Sequence, residues 1–79
     1  QVASGSVAIY PNPANEILNV QVLNSEISFI QPHEILDLNG RSIIQFHGTK
    51  TQISHLPTGL YALRIHTNYG MVVKKFIKQ

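Results

Sequence analysis

The chain alternates short apolar runs with turn residues. In residues 17–23 every second position from Leu18 is apolar, and the polar Asn19 and Gln21 lie between, which is the pattern of a strand with one buried face. Gly and Pro fall between such runs about every ten residues, a spacing typical of an all-β sandwich or barrel. We therefore predict an all-β domain of about seven strands.

Several strand ends are marked by turn residues. Asn39 and Gly40 separate two apolar runs and predict a hairpin with a type I′ turn, in which Gly40 has a positive φ. Pro32 interrupts the run that begins at Ile27, so we expect a sheet edge or a bulge there. The strand-like runs are residues 7–10, 17–23, 27–29, 34–38, 41–46, 51–56, 60–67 and 71–77.

Two positions leave the packing open. Pro11 and Pro13 remove two backbone donors and must end the first strand, and we expect the chain to turn a corner and change sheet there. Residues 71–77 carry bulky apolar groups on both faces, so periodicity alone does not identify their buried face.

Composition supports one β domain. Ten Ile, six Val and four Thr stand against four Ala, and β-branched residues favour strands. Seventy-nine residues, 43% of them hydrophobic, suffice for one core. The absence of cysteine excludes disulfides and thiolate metal sites and is neutral about the redox compartment.

The first residues differ from the rest. Gln1 to Ser6 are small and polar, so we expect residues 1–6 to be the end of a linker and residues 7–79 to be the domain. This stretch lacks the basic and apolar regions of a signal peptide. The longest apolar runs have four residues, whereas a membrane span needs about 20, so we expect no span.

The net charge of +2 is too small to indicate a nucleic-acid partner. Lys74, Lys75 and Lys78 nevertheless supply half of the six cations. These lysines, expected to be exposed, fit either an edge strand protected against aggregation or a strand that a partner recognises. A nucleic-acid patch is disfavoured because Phe76 is the only aromatic ring near them.

Catalytic or metal chemistry finds little support. The four histidines, expected at the surface or at strand edges, are 14, 8 and 11 residues apart and lack the close spacing of zinc ligands. Asp37, the one aspartate, is expected to accept hydrogen bonds in the turn. Glu34 and Asp37 would lie on opposite faces of a strand, not as a carboxylate pair. We therefore expect no cofactor and no enzyme activity.

Several segments, taken in order, resemble the C-terminal sorting domain of proteins exported by the type IX secretion system of Gram-negative bacteria. Tyr10, Pro11, Asn12 and Pro13 resemble the family's opening motif, and Asp37 to Arg41, with Gly40, its Asp-x-x-Gly-Arg turn. The remaining matches, in the Leu-x-x-Gly-x-Tyr-x-Leu-x-Ile pattern and the Gly-to-Lys ending, include Gly59, Tyr61, Gly70, Lys74, Lys75, Phe76 and Ile77.

The resemblance implies an immunoglobulin-like antiparallel β-sandwich of about seven strands that carries no chemistry. It implies a signal read by the type IX translocon through the last hairpin, with recognition residues Gly59, Tyr61, Gly70, Lys74, Lys75, Phe76, Ile77 and Lys78.

The same resemblance implies that an N-terminal cargo domain in the same chain crosses the periplasm to the cell surface or is secreted. A surface sorting peptidase would then cleave the linker at Ala3, Ser4, Gly5 or Ser6. An alternative of a different class is an immunoglobulin-like accessory or glycan-binding module of a secreted or cell-surface enzyme.

Overall fold

A computed structural model describes residues 6–79, which form two antiparallel β-sheets packed face to face. This arrangement confirms the predicted all-β sandwich and its seven strands. The strands are β1 (Val7–Tyr10), β2 (Ile17–Val22), β3 (His33–Leu36), β4 (Ser42–Phe46), β5 (Lys50–Gln52), β6 (Gly59–Thr67) and β7 (Gly70–Lys78).

The smaller sheet has the order β1-β2-β5 and the larger sheet the order β4-β3-β6-β7. This is the strand arrangement of a constant-type immunoglobulin domain, except that the fourth strand pairs with the third in the larger sheet. The β6–β7 hairpin has the longest ladder, which extends from the Gly59–Lys78 pair to the Thr67–Gly70 pair. The last hairpin therefore forms half of the larger sheet.

The core fills the space between the sheets. Leu18 and Val20 of β2 contribute from the smaller sheet, and Ile35, Leu63 and Phe76 contribute from the larger sheet. Each of these side chains is almost completely buried, and full burial of one such side chain contributes about 1.5 to 3 kcal/mol. The alternation in residues 17–22 thus predicted the buried face of β2 correctly.

The two strands on either side of Pro11 and Pro13 lie in the same sheet, so the predicted change of sheet is wrong. β1 and β2 are antiparallel neighbours in the same sheet, with Val7 opposite Val22. The connection between them instead crosses to the other sheet, where Ala14 forms a bridge with Lys78 of β7. The prolines lack amide donors, and their neighbours make these contacts.

Two predicted strands are shorter or absent in residues 6–79. Residues 27–29 contribute one isolated bridge, from Phe29 to Thr67, because the Asn68 side chain bonds this segment in place of a ladder: its Oδ1 accepts from the Ser28 amide at 2.8 Å. The run 51–56 contains only the end of β5, since the Leu56 amide donates to the Ile53 carbonyl at 2.9 Å and turns the chain.

The hairpin between β3 and β4 forms as predicted, but its turn is not type I′. Gly40 has the expected positive φ, 81°. Asn39 does not, since every positive φ in the described residues belongs to a glycine. The Gly40 amide donates to the Asp37 carbonyl at 3.0 Å, which closes a type I turn followed by a left-handed glycine.

Candidate functional site

Strand β7 lies at the edge of the larger sheet and pairs on one side with β6. Its side chains alternate strictly: Val72 and Phe76 are buried, whereas Met71, Val73 and Ile77 are exposed. The buried face that periodicity left open is therefore the one that carries Phe76. The opposite face presents an apolar surface on the outside of the sheet.

The opening motif contacts the free edge of β7. The Asn12 side chain accepts a hydrogen bond from the Ile77 amide at 3.0 Å through Oδ1, and its Nδ2 lies 3.5 Å from the Lys75 carbonyl. The Ala14 amide donates to the Ile77 carbonyl at 2.8 Å, and Ala14 accepts in turn from the Gln79 amide at 2.8 Å. The opening motif and the end of β7 therefore lie side by side at the edge of the larger sheet. The sequence did not predict this contact.

The other residues of the opening motif frame this contact. Tyr10 is the last residue of β1, and its carbonyl accepts from Asn19 Nδ2 at 3.1 Å. Tyr10, Pro11 and Pro13 are exposed, whereas Ala14 is fully buried. The motif therefore forms hydrogen bonds with β2 and with the end of β7, and most of its own side chains lie at the surface.

Tyr61 and Phe76 belong to the core. The Tyr61 hydroxyl donates to the carbonyl of Pro57, four residues earlier, at 2.6 Å, which is the hydrogen bond of the tyrosine corner in immunoglobulin-like domains. Its ring stacks on Phe76 with centroids 5.7 Å apart. Both side chains hold β6 and β7 together, so a partner that meets the folded domain cannot reach the Phe76 ring.

The two glycines of the last hairpin mark strand starts. Gly59 is half-buried and pairs with Lys78, and Gly70 is exposed and pairs with Thr67. The φ of Gly70 is 131°, a region that favours glycine. The Thr67 hydroxyl donates to the Gly70 carbonyl at 2.6 Å and closes the turn.

The expectation that all three lysines are exposed is wrong. Lys75 is exposed, Lys74 is half-buried, and Lys78 has an exposed fraction of only 6%. Strand alternation explains this, because Lys74 and Lys78 share the inner face with Phe76. The Lys78 ammonium donates to the Gln79 carbonyl at 2.7 Å. Inward-pointing charges on an edge strand also discourage pairing with another sheet.

Asp37 organises the β3–β4 turn, as expected. Its Oδ1 accepts from the Asn39 and Arg41 amides at 2.9 Å each, and its Oδ2 lies 3.3 Å from Arg41 Nε. The hydrogen bond from the Arg41 amide, with help from Asn39, keeps the pKa of Asp37 below its usual range. The carboxylate is thus ionised and fully engaged in the turn.

A polar cluster on the outer face of the larger sheet was missed from the sequence. Glu34 Oε1 accepts from Arg64 at 2.6 Å and 2.9 Å, and Gln45 Nε2 lies 3.3 Å from Oε2. The hydrogen bonds from Arg64 and then Gln45 lower the pKa of Glu34. The only sign of this cluster in the sequence was the opposite charge of Glu34 and Arg64. That sign could be used only once the two residues were known to be opposite each other on paired strands. The chemistry of the cluster is that of a structural ion pair.

His33 is not at the surface, which corrects the expectation for one of the four histidines. It has an exposed fraction of 1% and lies between Phe29 and Phe46. Its position two residues before Ile35 on β3 was the signal that could have placed it inside. Among residues 6–79, no group of three or more His, Asp or Glu side chains is arranged to hold a metal ion.

The predicted cleavage residues fall mostly outside the described part of the chain. Ala3, Ser4 and Gly5 precede residue 6. Ser6 is half-buried, and its carbonyl accepts from the Leu23 amide at 2.8 Å. The end of the predicted linker therefore contacts the folded body.

Comparison with known proteins confirms the resemblance seen in the sequence. The family model described as the secretion system C-terminal sorting domain matches residues 8–79. No curated protein matches the chain. In residues 6–79 we find no helix with the length and apolar character needed to cross a membrane. The family match does not favour the accessory-module alternative.

Proposed function

Because the chain belongs to the family of type IX secretion system C-terminal sorting domains, we propose that it is a non-catalytic, folded export signal for the protein that carries it. The observation that carries the proposal is the family match over residues 8–79, which spans nearly all of the described sandwich. Such a domain acts when the export machinery recognises its surface, and the fold serves to present that surface.

The last hairpin, residues 60–78, is the part we assign to recognition. Seven of the eight predicted recognition residues fall into two groups. Gly59, Tyr61, Gly70, Phe76 and Lys78 shape or bury the hairpin, whereas Lys75 and Ile77 are exposed on the outer face. Lys74 belongs to neither group, because it is half-buried on the inner face of β7. In this proposal the first group keeps β7 in place, and the type IX translocon contacts the exposed side chains.

The path of the parent protein follows from this role. The cargo domain precedes the sorting domain in the same chain, crosses the periplasm, and reaches the cell surface or the medium. A surface sorting peptidase then cuts in the segment that contains Ala3, Ser4, Gly5 and Ser6. The sorting domain itself needs no cofactor and catalyses nothing.

The test is to fuse residues 1–79 to the C-terminus of an unrelated periplasmic reporter in a cell that has the type IX machinery. We expect the reporter outside the cell, whereas the reporter alone stays in the periplasm. Mass spectrometry of the exported reporter is expected to show removal of the domain upstream of Val7. An exported reporter that still carries residues 7–79 would overturn the cleavage step alone, and a periplasmic fusion would overturn the export function.

A further inference from the structure

A cleft on the outer face of the larger sheet is centred on Ala62. Strand register places Ala62 between Leu36 of β3 and Lys75 of β7. The alanine methyl is small, so a depression of about 270 Å³ remains above it. Leu38 of the β3–β4 turn and Leu60 of β6 complete its apolar lining.

Much of this lining is open to solvent. Leu38 has an exposed fraction of 76% and Leu60 of 42%. Ile77, with 48% exposed, is the register partner of Leu60 and extends the apolar surface along β7. A contiguous apolar surface around a cleft marks an interaction site more often than isolated apolar side chains do.

The cleft is lined by one negative and one positive side chain, and only the positive one lacks a partner in the described residues. Among the described lining residues, Asp37 is the one carboxylate, and its oxygens are bonded to the turn amides and to Arg41. Lys75, at the other wall, makes no ion pair with residues 6–79. The cleft therefore combines an apolar floor with one cation that lacks a partner within the described domain.

This combination is complementary to an apolar side chain that has a carboxylate beside it. Burial of the apolar group removes surface from water, and a carboxylate facing Lys75 forms a charge-assisted contact. A volume of about 270 Å³ suits one or two side chains rather than a larger ligand.

We propose that the Ala62 cleft is the docking point of the export receptor, which inserts an apolar side chain and places a neighbouring Asp or Glu carboxylate against Lys75. The proposal rests on the export function argued above and names the surface and the partner chemistry of the recognition hairpin. Lys75 and Ala62 determine specificity, and Lys74, on the opposite face of β7, takes no part.

The first experiment uses N-acetyl-leucine, which carries an isobutyl group next to a carboxylate, as a probe of residues 1–79 in solution. We expect NMR amide shifts confined to residues around Ala62, Leu60 and Lys75, with a dissociation constant in the millimolar range for so small a ligand. N-acetyl-leucinamide, which lacks the charge, is expected to bind more weakly. Shifts spread over the surface, or equal binding of the two probes, would overturn the proposed chemistry.

Variants test the same site independently. Lys75→Glu is expected to weaken binding of the probe at least about tenfold, because it removes one charge-assisted contact and places a like charge beside the probe's carboxylate. Ala62→Phe is expected to block binding by filling the cleft. Lys74→Gln is the matched control and leaves binding unchanged. Melting curves identify any variant that loses its fold. If Lys75→Glu unfolds, Lys75→Gln, which removes the charge and keeps a long polar side chain, replaces it.

The export assay separates this inference from the proposed function. If the intact fusion is exported and the folded Lys75→Glu and Ala62→Phe fusions remain in the periplasm, the cleft is the docking point. If all three are exported equally, the cleft assignment is overturned while the export function stands. If the intact fusion itself stays in the periplasm, both are overturned.

Discussion

The buried His33 makes the stability of the domain depend on pH. Its ring lies 4.4 Å from the Phe29 centroid and 5.0 Å from the Phe46 centroid, and Nε2 lies 3.0 Å from the Gly48 carbonyl oxygen. A carbonyl only accepts, so Nε2 carries the hydrogen and Nδ1 is bare. Nδ1 is buried and has no hydrogen-bond partner in the described residues.

A second proton on this ring would be buried in an apolar site. Burial therefore lowers the pKa of His33 below 6.5, and the nearby His47 and His66 lower it further, against the opposing effect of the Gly48 hydrogen bond. The unfolded chain, with an ordinary histidine, binds this proton more readily. The free energy of unfolding is thus highest above about pH 6.5 and falls as the pH drops toward the folded-state pKa.

The slope has a physical limit. One proton taken up on unfolding changes the free energy of unfolding by at most about 1.4 kcal/mol per pH unit. A domain of this size has a total stability of about 4 to 12 kcal/mol, so the effect is measurable. The pKa values of Glu34 and Asp37 lie below their ordinary 4.5 and 3.8, and measurements above about pH 5 therefore exclude a contribution from these two carboxylates.

The assay is urea unfolding of the wild type and of His33→Phe between about pH 8 and pH 5. We expect the free energy of unfolding of the wild type to fall as the pH is lowered across this range. His33→Phe is expected to lose less, because a Phe side chain cannot take up a proton. His55→Gln, at an exposed site, is the control and keeps the wild-type slope. A flat wild-type profile, or equal slopes for wild type and His33→Phe, would show that protonation of His33 does not oppose folding.

Three further predictions concern the hairpins and the edge. Phe76→Ala is expected to lower the free energy of unfolding by about 3 to 5 kcal/mol because the ring is fully buried, whereas Val73→Ala, on the exposed face, changes it by less than about 0.5 kcal/mol; similar urea midpoints for the two would contradict the assigned face. Asn12→Leu is expected to cost about 1 kcal/mol and to speed hydrogen exchange of the Ile77 amide, with Asn12→Asp, which keeps the acceptor, as control; unchanged exchange would rule out the contact. Gly40→Val is expected to cost about 1 to 3 kcal/mol through its positive φ and not through a clash, since no atom lies within 4 Å of an added Cβ. Gly40→Asn, which tolerates this φ, is expected to cost less in the same urea measurement, and equal midpoints would refute the backbone argument.

Local sequence signals predicted the parts of the fold that depend on neighbours in the chain. Alternation in residues 17–22 identified β2 and its buried face, and Asn39 with Gly40 located a hairpin. The turn type was missed because Asp37 bonds the turn amides through its side chain, which favours a type I turn over the type I′ geometry that Asn-Gly alone favours.

Contacts between distant residues determined what the sequence left open. Both faces of β7 carry apolar side chains, with Val72 and Phe76 on one face and Val73 and Ile77 on the other. Which face is buried is therefore decided by the pairing of β7 with β6 and not by the sequence of β7 itself. The hydrogen bonds between Asn12 and β7 join residues 65 positions apart. Periodicity describes one strand at a time and carries no information on such pairing.

The residues of the candidate site were predicted from their match to the family motif, which does not distinguish exposed from buried side chains. The motif residues included the exposed Lys75 and Ile77, but also the buried Phe76 and Lys78. The cleft over Ala62 was not predicted, since it depends on the register that brings Leu36 and Lys75 to either side of a small residue.

The most direct test of the export function compares two strains that differ only in the type IX machinery. Both express the periplasmic reporter fused to residues 1–79, and the measured quantity is the fraction of reporter outside the cell. We expect the fusion to leave the strain that has the machinery and to accumulate in the periplasm of the strain that lacks it. Equal fractions outside the two strains would contradict the export function.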